Sequence, residues 1–332
     1  MTLPVRGPLS ATAAALLRGE PVMPPPVAAT DPLTDDDLHL ALFLCYEVHY
    51  RSLDGVDDLA EWDPRVLAYR AELERCFHEA LGGVALVAPT SDPVDVQLRR
   101  LIDADGAPSV SSFLAREGTV AMYREFLMHR SAYHLKEADP HTFAIPRLRG
   151  RAKAAMVEIQ ADEYGGGEAR WMHSTLFARA MRELGLATEE GAYVDQLPGV
   201  TLATVNLMSS FGLHRRLRGA AVGHLAVFEM TSCIPNRRYG DGLRRLGFGE
   251  EATRYFDEHV EADAAHGAIA ANDMAGSLVQ EDPDMLRDVL FGATALLALE
   301  RRWAEHVLPA WRSGRDALWT GVERQQMPAA VA

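Results

Sequence analysis

The 332-residue sequence holds only three cysteines, Cys45, Cys76 and Cys233, which are too few and too scattered for a disulfide framework or a thiolate metal site. They read as small buried apolar residues in a reducing compartment. No apolar run reaches the roughly 20 residues that cross a bilayer, and the start lacks a basic patch leading into a short apolar segment, so a cytoplasmic protein with no membrane partner is expected. Basic charge is also in deficit: 33 Lys and Arg against 47 Asp and Glu leave a net charge of −14, which opposes phosphate backbones and excludes nucleic acid as the expected partner. Strand-type alternation is nearly absent and no repeat of fixed period occurs, which excludes a sheet protein or a solenoid and leaves a compact all-α bundle.

Hydrophobic residues make up 48% of the chain, enough to bury a sizeable core. Residues 1–32, with Pro4, Pro8, Pro21 and the run Pro24-Pro25-Pro26 among alanines, read as a flexible leader. Thr34 with Asp37 opens a helix through Tyr50, and Asp63-Pro64 opens a second that stops at Gly82-Gly83. Apolar spacing predicts further helices over 93–104, 119–139, 147–164, 168–184, 200–232, 251–271 and 283–313. The expected organisation is the leader, an N-terminal helical extension over 33–105, a helical core over 106–315 and a tail over 316–332.

The sharpest local signal is His259, Asp263 and His266, which at 3.6 residues per turn share one helical face in line with Phe256 and Ala270. A buried aspartate beside two imidazoles is satisfied by a metal ion, while a solvated face with incidental histidines is the alternative. Glu163 lies in a row with Met156 and Ile159. Glu137 ends a row through Tyr123, Phe126 and Arg130, so each carboxylate is either a ligand or half of a buried ion pair, with Arg130 the candidate partner of Glu137. Beyond the glycine run 165–167, a returning helix would carry His173 back toward Glu163. Three carboxylates and three imidazoles without a cysteine suit iron, with manganese as the other choice, and six ligands suit two ions better than one.

These positions, with the strings Lys136-Glu137-Ala138-Asp139-Pro140, Asp162-Glu163-Tyr164-Gly165 and Arg170-Trp171-Met172-His173-Ser174, resemble the iron-containing redox enzyme family, the haem-oxygenase-like diiron oxidases and oxygenases, over approximately residues 110–310. The resemblance implies a haem-oxygenase-like helical bundle. Glu137, Glu163 and His173 would hold one side of an iron pair cycling between Fe(II) and Fe(III), and His259, Asp263 and His266 the other, with a carboxylate bridging. It further implies O2 as co-substrate, an electron donor, and oxidation of a small amine, amino-acid or fatty-acid-like molecule by N-oxygenation, desaturation or oxidative C–C cleavage in specialised metabolism. Some members carry an extra glutamate three residues before the ligand histidine; Arg170 stands there in this chain, which removes a carboxylate from the second iron.

Several residues carry weaker signals. Glu47 and His49 are two positions apart and face different ways. Glu229, flanked by Phe228 and Met230, needs a polar partner and reads as a group behind the ligands. Arg237, Arg238 and Tyr239 follow Pro235 at an expected helix end, where the guanidinium groups would meet a substrate carboxylate or close the helix. The row Leu296, Leu299, Trp303, Val307 and Trp311 reads as packing. A metal-binding module without redox activity, and a metal-free enzyme on the same fold, are the competing readings; a homodimer is left open.

Overall fold

The computed structural model describes residues 3–51, 53–83 and 88–321, and the side chains of residues 262–264 lie outside the described set. Among the described residues there is no strand, and no helix is long and apolar enough to cross a membrane. The chain runs through α1 (Pro8–Leu17), α2 (Asp36–Glu47), α3 (Pro64–Leu81), α4 (Val94–Ala104), α5 (Val110–Glu117), α6 (Val120–His134) and the short α7 (Asp139–Thr142). It continues through α8 (Gly150–Glu163), α9 (His173–Glu183), α10 (Gly199–Leu213), α11 (Arg218–Arg245) and α12 (Glu250–Ala268), then a π-helical stretch (Ile269–Gly276), α13 (Ser277–Glu281) and α14 (Met285–Arg312).

Helix starts follow the expected chemistry. Asp35 caps α2 by accepting from the backbone N–H of Asp37 and Leu38, and Asp63 caps α3 ahead of Pro64. The long α11 lies at the centre of the bundle, packed on α12 and α14. Its crossing with α14 is close because Gly223 faces the Val289 carbonyl and Gly292 faces Ala220, where a Cβ on either glycine would collide with backbone.

Four expectations need correction. The segment expected as a flexible leader contains α1, and Leu9, Ala13, Leu16 and Leu17 are part of the same buried apolar cluster as Leu42 and Leu299. Its start is capped from elsewhere: Asp37, at the beginning of α2, accepts from the backbone N–H of Leu9 (2.8 Å) and Ser10 (2.9 Å). The helix expected over 200–232 is two helices, with His214 in extended conformation between them. Pro235 does not end a helix but lies inside α11, which continues to Arg245 although the proline removes one rung of its hydrogen-bond ladder. The beginning of the expected tail is docked, since Ala317 is buried and its N–H meets Glu125; residues 322–332 lie outside the described set.

Candidate metal centre

Four helices and two turns bring the polar groups into the bundle. Glu137 follows the end of α6, and the next residue, Ala138, has φ 76°, the one positive φ on a non-glycine residue among those described. Such a conformation persists only where neighbours hold it. Here the Ala138 carbonyl accepts from the Gln160 side chain at 2.8 Å, and Lys136, on the other side of Glu137, is buried in an ion pair with Glu47 of α2. Glu163 is the last residue of α8. Gly165, Gly166 and Gly167, all at positive φ, then turn the chain so that His173 opens α9. His259 and His266 lie two turns apart on α12, and Glu229 comes from α11.

Among the described residues, ligand-capable atoms of Glu137, Glu163, His173 and His259 converge within 4.8 Å of one another, as do those of Glu163, Glu229 and His266. All six residues are buried. Glu163 belongs to both groups, so the two clusters share a carboxylate. Nδ1 of His173 is 2.9 Å from Oε2 of Glu163, yet neither atom has a hydrogen-bond partner among the described residues. Two ligand atoms about 2.1 Å from one divalent ion at a right angle are about 3 Å apart, so orphaned atoms at this spacing fit an ion better than each other. The donor set of carboxylates and imidazoles fits iron.

The groups behind the ligands set their orientation. His259 directs Nδ1 at the Tyr255 carbonyl (2.8 Å), which leaves Nε2 as the acceptor facing Glu137. Nε2 of His266 meets Asp162 at 2.9 Å, and its Nδ1 faces Glu229 at 3.5 Å. The Tyr255 hydroxyl donates to Glu137 at 2.9 Å, and His134 approaches the same carboxylate at 2.7 Å. Burial raises the Glu137 carboxyl, but the charge and hydrogen bonds of His134 and His259 outweigh it and hold the group well below the usual carboxylate range. Burial likewise works against a charged His173, and Glu163 more than offsets it.

A cavity of about 280 Å³ opens beside this cluster, reaching Glu137, His259, His134 and Tyr255 at one side and Arg130 and Glu300 at another, with Phe126 and Phe228 among its apolar walls. A wider surface depression of about 530 Å³ near Asp36, Arg302 and Trp319 contains none of these groups.

The profile of the iron-containing redox enzyme family matches residues 124–301, more than half of the chain. The chain belongs to that family. A nitrosourea synthase of Streptomyces achromogenes subsp. streptozoticus is 29% identical to it over 257 residues, covering 73% of this chain and 54% of that protein. The chain therefore spans about half the length of the curated relative it matches. As an iron-containing redox enzyme it is an oxidoreductase, and its all-α, haem-oxygenase-like architecture agrees with the expected class.

Within this iron-containing redox enzyme, Glu137, Glu163, His173, His259 and His266 come together, while the Asp263 side chain lies outside the described residues. The grouping differs from the expected one: His259 joins Glu137 and His173, and His266 joins Glu229. A separation of seven helical residues, about 10 Å along the axis, places the two histidines in different clusters. Glu229, expected behind the ligands, lies on α11 in the cluster with Glu163 and His266, while Arg170 is exposed and pairs with Glu168. Arg237 and Arg238 do not line the cavity: Arg237 is exposed and Arg238 reaches Ser109, whereas Tyr239 does line it. Arg130 is bound to Glu300, not to Glu137. His49 is held by Glu61 and Arg70, away from the cluster.

Sequence reasoning missed Tyr255, although it lies one turn before His259 on the same face, and His134, three residues before Glu137. It also missed His141 and His224, buried with ring nitrogens 3.1 Å apart, where burial disfavours the charged form of each ring. Their separation of 83 residues left no local signal.

Proposed function

We propose that this chain is a non-haem diiron oxidase or oxygenase that uses O2 to oxidise a small amine, amino-acid or fatty-acid-like substrate. The carrying observation is the shared Glu163: one ion would be held by Glu137, Glu163, His173 and His259, the other by Glu163, Glu229 and His266, to which the family resemblance adds Asp263. Bound there, ferrous iron would supply the electrons and Lewis acidity for reductive activation of O2, and manganese is the alternative occupant. An external electron donor would restore the ferrous state between turnovers.

The protein's own groups would do the rest. The Tyr255 carbonyl and Asp162 lock the tautomers of His259 and His266, leaving one nitrogen of each ring for a metal. Tyr255 and His134 hold the Glu137 carboxylate against rotation. Phe126, Phe177 and Phe228 line the cavity and exclude water from the reacting groups. The name of the nitrosourea synthase denotes a product whose N–N–O unit requires oxidation at nitrogen, which favours N-oxygenation among the outcomes; since only about half of that protein is spanned, the proposal extends no further than oxidation at nitrogen.

Anaerobic Fe(II) titration followed by O2-uptake measurement with candidate amines tests the reading. Two irons per chain and amine-stimulated O2 uptake are expected, with both lost in Glu163→Gln. One iron at saturation refutes the paired site, and two irons without stimulated uptake by any amine, amino acid or fatty acid would assign the chain to metal binding alone.

A further inference from the structure

Two cavities reach the ligand-capable residues. The larger, of about 280 Å³, is lined by His224 but not by His141. A second, of about 10 Å³, is lined by His141 and Gln160 together with Glu163, Glu229 and His259, but not by His224. Tyr133 and Phe228 line both and form the wall between them. Nε2 of His141 lies 3.1 Å from Nδ1 of His224, so a hydrogen bond between these two rings links one cavity to the other. We propose that His224, His141 and one water held in the small cavity form a proton relay between the substrate cavity and the carboxylate cluster. The proposal rests on the oxidase reading for the use of the protons, not for the path they take.

The small cavity is furnished for a single water. Gln160 donates from its amide nitrogen to the Ala138 carbonyl at 2.8 Å and to the Thr142 hydroxyl at 2.7 Å. A carbonyl only accepts, so the nitrogen must face Ala138 and the amide oxygen is left for the cavity. That oxygen is buried and has no hydrogen-bond partner among the described residues, and the same holds for Nδ1 of His141, whose other nitrogen is engaged by His224. Buried polar atoms call for partners, and a buried water needs two to four polar neighbours and roughly 10–15 Å³ for its centre. The cavity offers about that room, and Gln160, His141 and the two carboxyl-bearing residues supply the neighbours.

Insertion of one oxygen atom into a substrate, with the other reduced to water, takes two electrons from the external donor and two protons. Burial disfavours the charged form of both rings, so each should begin and end a transfer neutral. His224 takes a proton at Nε2, its Nδ1–H proton passes to Nε2 of His141, and the Nδ1–H proton of His141 passes to the water, which hands one on toward Glu163 and Glu229. One proton enters and one leaves, no electron moves, and each ring finishes with its hydrogen on the other nitrogen. Opening of the contact between turnovers, with each ring exchanging against water, resets the pair. The His224 ring is stacked on Phe228, with centroids 5.9 Å apart and 20° between planes, which holds it in line with His141.

The test reads the path first on the metal-free full chain, labelled with 15N-histidine, by magnetic resonance. In the parent, the His141 ring should show contact with a long-lived water. In His224→Asn, whose amide can hold the hydrogen bond but cannot pass a proton, solvent exchange of the His141 ring hydrogen should slow by roughly tenfold or more. Loosened packing would speed that exchange, so the sign separates a relay from a structural contact. In the iron-loaded chain, His141→Gln should keep both irons and lower substrate-stimulated O2 uptake on the order of a hundredfold, with a larger solvent deuterium isotope effect than the parent. No water contact in the parent, unchanged or faster exchange in His224→Asn, or loss of an iron in His141→Gln overturns the proposal. If His224→Asn does not fold, His224→Gln takes its place, and if neither folds the water contact in the parent decides alone. Failure of the parent to bind iron would sink the oxidase reading and leave the exchange result standing; two irons without the slowed exchange would do the reverse.

Discussion

The buried ion pair between Lys136 and Glu47 ties the N-terminal helices to the ligand turn, and its removal gives a calculable result. The side chains are 3% and 11% exposed, and Lys136 Nζ also lies 4.1 Å from the centroid of the Tyr50 ring. Lys136→Met strands the Glu47 carboxylate in the interior, at a cost of about 3–5 kcal/mol. Against a total stability on the order of 5–15 kcal/mol this is a large loss. Glu47→Leu strands the ammonium at a similar cost, whereas the double variant replaces the pair by apolar groups and should return close to the parent stability. The expected coupling is therefore several kcal/mol, far beyond what independent sites show. Urea unfolding followed by circular dichroism on all four proteins measures it. Because Lys136 immediately precedes Glu137, each single variant should also weaken Fe(II) binding by roughly ten- to hundredfold, the usual effect of disturbing a group that orients a ligand. Single losses below about 1 kcal/mol, or losses that simply add in the double variant, would refute the account.

Three further outcomes follow from individual residues. Glu229→Gln should keep one iron and lose the other, because Glu229 belongs to one cluster only; retention of both in an equilibrium titration would remove it from the ligand set. Ala138→Gly should raise stability slightly, by up to about 1 kcal/mol in urea, since relief of the 76° φ offsets the lost methyl and the added chain entropy; a loss of more than that amount contradicts the strain. Burial lowers the His39 imidazole to about 4, so between pH 6.5 and 4 the unfolded chain binds a proton there that the folded chain does not. Stability must then fall as pH drops through that window, by about 1.4 kcal/mol per unit at most for this residue. His39→Gln, compared by urea titration at pH 7 and 5, should show a smaller drop than the parent.

The parts of this protein that were legible in its sequence are those whose causes are local. Asp63-Pro64 starts a helix and the glycine run 165–167 turns one, because capping and positive φ are decided within a few residues. The errors arose where the cause is distant. The alanine-rich α1 has no polar face to mark it as a helix, and the group that caps it, Asp37, is 27 residues beyond Ser10. In α10 every residue from Gly199 to Gly212 is buried, so no periodicity remained to place the break at His214.

The same division runs through the candidate site. That His259 and His266 share a face was readable from their spacing, and so was a further consequence. Two imidazoles seven residues apart stand about 10 Å apart along a helix, farther than one ion can bridge with ligand bonds of about 2.1 Å. If both are ligands, two ions are required, and each histidine must draw its remaining partners from other helices. Glu137 and His173 approach His259, and Glu229 approaches His266 across the α11–α12 packing, 37 residues earlier in the chain. Helical spacing alone can say that two ligand histidines so placed need two ions; only the packing of α11 on α12 brings Glu229 to within 3.5 Å of His266, where the sequence offered Arg170 and no carboxylate.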